Sequence, residues 1–273
     1  MQRQQKEYLS DRFINEKIAP HWNITPDKDS FKCLLHHIEN ITNFRKFFEV
    51  AFDTFLSQHE GNELVLADIG GGAGWTSALM ALNPRVKKVY LIEPSDNRRS
   101  SNVHICNHFK VPEKKVERIN GTFQNFNLVE KVDAVILCAS IHHCFDQFIP
   151  ILFENISHTL KNPNKKSSVL IANEHYVKFP WLLRRLGYYF KNYFRKEEKK
   201  VFYNLTKLRM PHPFDGEHWR TKKELINIFE KYNYSHQIID NEGDLCIKSP
   251  PYLFKYEWGY YFAILGQKIT INE

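Results

Sequence analysis

Three glycines at alternate positions, Gly70, Gly72 and Gly74, stand in the run Ala67-Asp68-Ile69-Gly70-Gly71-Gly72-Ala73-Gly74-Trp75. The run lies between an apolar stretch of strand character, Leu64-Val65-Leu66, and a helix-like stretch from Thr76 to Leu82. Glycine admits positive φ and lets a backbone come close to a ligand. A helix opening at such a turn also offers unpaired N–H groups to a carboxylate or phosphate. Nineteen residues beyond Gly74, the short apolar stretch Val89-Tyr90-Leu91-Ile92 ends in an acid, Glu93. In nucleotide-binding α/β folds an acid at that place accepts hydrogen bonds from ribose hydroxyls. The chemistry these residues suit is the binding of a nucleoside-containing cofactor.

A dinucleotide fingerprint requires Gly-x-Gly-x-x-Gly, but Trp75 and Thr76 stand where the third, helix-packing glycine is due. A P-loop fails as well, because the chain has no Gly-Lys-Ser/Thr. What the run resembles is motif I of the class I S-adenosylmethionine-dependent methyltransferases, an acid followed by Ile-Gly-x-Gly-x-Gly. The resemblance continues along the chain. Glu93 resembles the ribose-binding acid that ends the second strand. Val132 to Ser140, followed by Ile141-His142-His143, resembles the fourth strand and its loop, and Ser168 to Glu174 resembles the fifth strand. The span covered well is roughly residues 45–175, the size of one α/β domain. The resemblance implies S-adenosylmethionine as cofactor, held by Asp68, Gly70, Gly72, Gly74 and Glu93 together with Ala139 and Ser140. One departure stands out. The family's third strand usually ends in Gly-Asp, whose acid approaches the adenine amino group, whereas this chain reads Asn120-Gly121-Thr122-Phe123. Thr122 occupies the place of the acid, and Phe123 or the backbone beside it packs on the adenine instead. Ordinary core packing is the other reading of Phe123.

The elements that must position these residues alternate. Strand and helix patterns follow one another over 64–69, 75–82, 88–92, 97–109, 116–119, 132–138, 146–160 and 168–173. Such alternation predicts an α/β fold with a doubly wound, mostly parallel sheet. A helix at Lys222–Tyr232 and strands near 235–240 and 259–268 complete seven strands, with the antiparallel finish typical of the family. Four segments result: a helical lead-in and cofactor cover at 1–62, a cofactor-binding core at 63–174, an insertion at 175–221 and a completion of the sheet at 222–273. In the lead-in, Phe44, Phe47, Phe48, Ala51, Phe52 and Phe55 recur at helical spacing and read as core facing the sheet. Ile18-Ala19-Pro20-His21-Trp22 resembles the aromatic segment that many small-molecule methyltransferases fold over the cofactor. An anchor for the N-terminal helix is its other reading.

With 273 residues the chain can bury a full core. Its polar start, Met1 to Glu7, does not read as a signal peptide, and no apolar run reaches membrane length. None of the five cysteines forms a Cys-x-x-Cys pair, which points to a reducing, cytoplasmic setting without structural disulfides or zinc. Adjacent histidines on a helix diverge, so His36-His37 is a poor metal pair and no metal is expected. The charge is uneven. Residues 178–223 hold 13 Lys and Arg against 4 Asp and Glu, while the whole chain carries +7, so the remainder is slightly acidic. Within this insertion Leu182, Leu186, Tyr189, Phe190 and Tyr193 share one helical face. A basic, aromatic helix fits a lid over an anionic substrate, a peripheral contact of residues 178–200 with acidic lipid or a nucleic-acid patch. A plain amphipathic helix with solvated charges is the fourth reading.

If the sulfonium methyl is the electrophile, the protein has chiefly to align a nucleophile, and for a hydroxyl acceptor to remove its proton. His142 and His143 follow the fourth strand, where the family opens onto the transferred methyl. Histidine titrates near neutrality and suits the task of base. His175, directly after the fifth strand, is the next candidate. Asp215, Glu217 and His218 precede a helix that Thr221 and Glu224 mark with a capping box, so that segment reads as acceptor-lining or as structural. Ser249-Pro250-Pro251-Tyr252 looks like the tetrapeptide of amino-group methyltransferases but lies far from the fourth strand, which argues against adenine or glutamine N-methylation. The expected function is methyl transfer to a small-molecule, sugar or lipid-linked acceptor, a hydroxyl first. An RNA or protein methyltransferase and a non-catalytic binding protein of the same fold are the alternatives.

Overall fold

The computed structural model describes residues 24–59, 61–162, 167–175, 220–240, 247–248, 257–258 and 260–267. Helix α1 (Phe31–His36) runs into a π-helical turn at His37–Ile41, and helix α2 spans Phe44–Ser57. Strand β1 (Leu64–Ile69), helix α3 (Trp75–Leu82), strand β2 (Val86–Ile92), helix α4 (Asp96–His108) and strand β3 (Val116–Ile119) follow. Strand β4 (Ala134–Cys138), helix α5 (Ile149–Thr159), strand β5 (Val169–His175), helix α6 (Lys222–Lys231) and strand β6 (Tyr234–Asp240) come next. A short pair, β7 (Ile247–Lys248) and β8 (Glu257–Trp258), precedes β9 (Tyr260–Gln267). The main sheet has seven strands in the order β3-β2-β1-β4-β5-β9-β6. Its first five strands are parallel, and β9 runs antiparallel between β5 and β6. This is the doubly wound, mostly parallel α/β sheet that the alternation predicts.

Strand side chains alternate faces with period two, and each face has its own helices. Leu64, Leu66, Val89, Leu91, Ile136 and Leu170 pack with α1 to α4. Val65, Ala67, Ile69, Tyr90, Leu137 and Ile171 pack with α5 and α6. The phenylalanine stripe of α2 is buried from Phe44 to Phe55, as its spacing predicts.

Three of the boundaries that differ from the sequence reading have a local cause. The lead-in is interrupted, because the π-helical turn ends at Ile41 and Asn43, with a left-handed φ of 55°, restarts the chain as α2. Strand β4 begins at Ala134, since Val132 forms only an isolated bridge with Leu160. The expected helix over 146–160 begins at Ile149 after a 3-10 turn, because Pro150 lacks an N–H and is tolerated only in a first helical turn. Among the described residues no helix is long and apolar enough to cross a membrane.

One side chain binds the connection from α2 to β1 at three carbonyls. Arg85 donates to Leu56 O at 2.9 Å in the last turn of α2, and to Gly61 O at 2.9 Å and His59 O beyond it. Arg85→Ala removes these charge-assisted bonds and is expected to lower stability by about 2 kcal/mol, read as a lower urea midpoint with an unchanged slope.

Candidate functional site

The carboxyl ends of β1, β2, β3, β4 and β5 meet at one edge of the sheet, where ligands of open α/β folds bind. The turn from β1 into α3 has positive φ at Gly70 (70°), Gly72 (59°) and Gly74 (75°), a conformation that side chains rarely adopt. Packing adds a second constraint at Gly74, where a Cβ would lie 2.3 Å from Asn102 Nδ2. Asn102, buried on α4, donates to the carbonyls of Ala73 and Gly74, both at 3.1 Å, and accepts from Arg118 Nε at 3.0 Å. It fastens the glycine turn to the neighbouring helix. Gly72 is the opposite case: a Cβ there meets no atom of the described residues within 4 Å.

Asp68 lies beneath the turn, fully buried in β1. Its Oδ2 accepts from the hydroxyls of Thr76 and Ser77, both at 2.6 Å, which ties the strand end to the first turn of α3. Its Oδ1 is buried without a hydrogen-bond partner among the described residues. Burial pushes the Asp68 carboxyl up to about 6, against the Ser77 and Thr76 hydrogen bonds that favour its charge, and nearby Glu93 adds to the rise. The folded state therefore binds a proton that the unfolded chain releases between about pH 4 and 6. This contribution is present at low pH and lost as pH rises to 6. The stability difference between wild type and Asp68→Asn is expected to move against the wild type by about 1.5 kcal/mol from pH 4.5 to 6 and to level off above about pH 7. Urea midpoints of both proteins across that range test it.

Glu93 is buried at the end of β2, where its Oε2 accepts from Gly72 N at 3.1 Å and its Oε1 from Ser95 N at 3.0 Å. The acid and the glycine turn are thus joined directly, and each oxygen keeps a lone pair for a further donor. Arg99 holds this corner through Glu93 O at 2.5 Å and Asn120 Oδ1 at 3.2 Å. Beyond β3, Thr122 Oγ1 accepts from the N–H groups of Gln124 and Asn125, so this hydroxyl shapes its own turn. The half-buried Phe123 ring comes within 3.3 Å of where a Gly70 Cβ would stand, and Ser140 Cβ within 3.0 Å. Residues predicted from three separate segments therefore meet at Gly70. Ser140 Oγ closes the contact by donating to Ile69 O at 3.0 Å.

At the end of β4, Ala139 has φ 49°, unusual for alanine, and turns the chain toward β5. Glu174 on β5, buried at 1% exposure, receives this loop. Its Oε1 accepts from Ser140 N at 2.6 Å and Ile141 N at 2.8 Å, and its Oε2 lies 2.7 Å from His142 Nδ1. Given the acceptor on Oε2, neutral His142 carries its proton on Nδ1, which leaves Nε2 as the basic nitrogen. The structure thereby gives His142 a carboxylate partner. His143 stands beside it, with ring centroids 4.1 Å apart.

Glu174, Arg220 and Asn102 had not been singled out from the sequence. The apolar run ending at Glu174 was a partial signal, since an acid at a strand's carboxyl end is a site position. Arg220 and Asn102 carry no local signal. The backbone of His175 lies opposite Tyr260 in β9, and its side chain is outside the described residues. So are Ile18–Trp22, the insertion at 176–219 with Asp215, Glu217 and His218, and Ser249–Tyr252. Thr221 and Glu224 form the predicted capping box of α6. Among the described residues no group of three or more His, Cys, Asp and Glu is placed to hold a metal, and Cys33, Cys106, Cys138 and Cys144 are free thiols.

No family model and no curated protein matches the chain. Solved structures do match. A S-adenosylmethionine-dependent methyltransferase from Leishmania major superposes with a TM-score of 0.55 at 12% identity, covering 90% of this chain and 80% of its own. The N-methyltransferase NodS from Bradyrhizobium japonicum, solved with S-adenosylhomocysteine, gives 0.52 at 12% identity over 88% and 93%. Human N-acetylserotonin methyltransferase, solved with S-adenosylmethionine, gives 0.50 at 20% identity over 89% of this chain and 56% of its own. The chain has the fold of the class I S-adenosylmethionine-dependent methyltransferases.

Proposed function

We infer that this protein is an S-adenosylmethionine-dependent methyltransferase acting on a small-molecule, sugar or lipid-linked acceptor, with a hydroxyl as the receiving group. The observation that carries the reading is the His142–Glu174 pair, held two residues beyond Ser140, which itself packs on the glycine turn. The residues present fit the cofactor. Among the described residues, a buried carboxylate with an unpartnered oxygen lies under the turn and suits a cationic amino-acid end, no atom fills the space at Gly72, and Glu93 retains lone pairs for ribose hydroxyls.

When bound, S-adenosylmethionine supplies a methyl group made electrophilic by the sulfonium. The protein's own part is alignment and proton transfer. The glycine turn lets its backbone approach the ligand, and the Phe123 ring walls one side. His142 Nε2 takes the proton of the acceptor hydroxyl as that oxygen attacks, and Glu174 stabilises the imidazolium through Nδ1. The basic, aromatic residues 178–200 favour an anionic or lipid-linked acceptor and a peripheral contact with acidic lipid.

The test uses methyl-labelled S-adenosylmethionine with fractionated lysate of the source organism. Label in the lipid or small-molecule fraction is expected. Label in protein or RNA replaces the acceptor class, and no label in any fraction removes the enzymatic reading.

A further inference from the structure

His142 lies on a loop, residues 140–146, that two buried charges hold from different sides. Glu174 takes the N–H groups of Ser140 and Ile141. Arg220, 6% exposed, takes the carbonyls: Nη1 donates to Ile141 O at 3.1 Å and Nη2 to Cys144 O at 2.6 Å. The guanidinium also binds Asp146 Oδ1 through Nε at 3.0 Å and Nη2 at 2.8 Å. Ile141 is therefore gripped at its N–H by the anion and at its carbonyl by the cation, and that carbonyl belongs to the peptide group carrying the nitrogen of His142. A flat guanidinium with several fixed donors can hold three acceptors at once, which an ammonium cannot reproduce. Glu174 and Arg220 lie far apart in sequence, on either side of residues 176–219, yet both close on the same turn.

We propose that Arg220 is a positioning residue for His142: it holds the Ile141–Cys144 turn so that the ring keeps its Nδ1 on Glu174. For its effect on turnover this rests on the reading of His142 as the base; its effect on the ring does not. Among the described residues, Glu174 from β5 and His143 from the loop stand against the ring, while Arg220 ahead of α6 and Asp146 pair at the backbone of the same loop. If Arg220 served stability alone, its loss would lower the melting temperature and leave the imidazole of the folded protein as it was.

The experiment reads the tautomer of His142 directly, by nitrogen-15 spectra of histidine-labelled full-length protein, with His142→Gln identifying the signal. Wild type is expected to show the Nδ1–H form. Arg220→Gln is expected to show a mixture of both forms, while S-adenosylhomocysteine affinity, measured by calorimetry, stays within about twofold, because the cofactor turn has its own anchor in Asn102. Asp146→Ala removes one of Arg220's three partners at a half-exposed site and is expected to give a smaller change in the same direction. A folded Arg220→Gln protein with the wild-type tautomer overturns the proposal. If Arg220→Gln does not fold, Asp146→Ala decides on the same criterion, and a wild-type His142 already in the Nε2–H form overturns it as well. Failure of the wild type to bind S-adenosylhomocysteine removes the methyltransferase reading instead, while the tautomer spectra still decide the role of Arg220. With an identified acceptor, Arg220→Gln is expected to lower kcat about tenfold or more and leave the KM for S-adenosylmethionine unchanged.

Discussion

Gly72→Asp is expected to reduce S-adenosylmethionine affinity by about two orders of magnitude or more while leaving the protein folded. The two halves of that statement rest on different observations. Among the described residues a Cβ at residue 72 meets no atom within 4 Å, so the new side chain does not enter the described core. Its backbone stays at φ 59°, which costs a non-glycine residue roughly 1 kcal/mol and is tolerated best by Asn and Asp. The added carboxylate fills the room assigned to the cofactor and stands beside Glu93, which already accepts from the N–H of residue 72. Titration calorimetry with S-adenosylmethionine, alongside circular dichroism, separates loss of binding from loss of fold. A folded variant of unchanged affinity sinks the cofactor assignment. The same substitution at Gly74 is a weaker test, because a Cβ there collides with Asn102 and Leu91 and disturbs the turn itself.

The second large effect is expected from Glu174→Gln. The substitution preserves volume and one carbonyl-type oxygen, so the N–H groups of Ser140 and Ile141 keep an acceptor. What changes is the group facing His142 Nδ1: an amide N–H₂ in place of a carboxylate oxygen. Two donors cannot face each other, so the imidazole moves its proton to Nε2 and ceases to be a base there. An Asn-for-Asp exchange behind a catalytic histidine in serine proteases lowers kcat by about 10⁴ for this reason. Here a loss of about two orders of magnitude or more in turnover is expected, with S-adenosylhomocysteine affinity unchanged. His142→Ala should match it, and His143→Ala should cost less, since Glu174 holds the other ring. Single-turnover measurements on the acceptor found by labelling provide the comparison. Equal turnover in wild type and Glu174→Gln would mean that the pair is structural, and the acceptor would then have to lose its proton without His142.

The features legible in the sequence are those that short-range physics imposes. Alternate glycines between a strand pattern and a helix pattern require a turn with positive φ, and the structure has it at Gly70, Gly72 and Gly74. Period-two alternation assigns Leu64 and Leu66 to one sheet face and Val65 and Ala67 to the other without reference to any partner. A capping box spans three residues and is found where Thr221 and Glu224 place it. Glu93 was legible because a strand ending in an acid at natural spacing is itself a local pattern.

The rest depended on which chain segments the sheet brings side by side. The partner of His142 comes from the neighbour of β4: Glu174 on β5, which follows Asn173 at φ 51° where β5 shifts register against β9. Arg220 reaches Ile141 across 79 residues and Asn102 reaches Ala73 across 29, distances over which no periodicity constrains a pairing. Thr122 has the right place in the chain for an adenine contact, but its hydroxyl accepts two N–H groups of its own turn. Local backbone preference and hydrophobic period thus determined the fold and the glycine turn. Which buried groups share hydrogen bonds was decided by strand order and register, because a buried donor takes whichever acceptor the assembled core sets beside it.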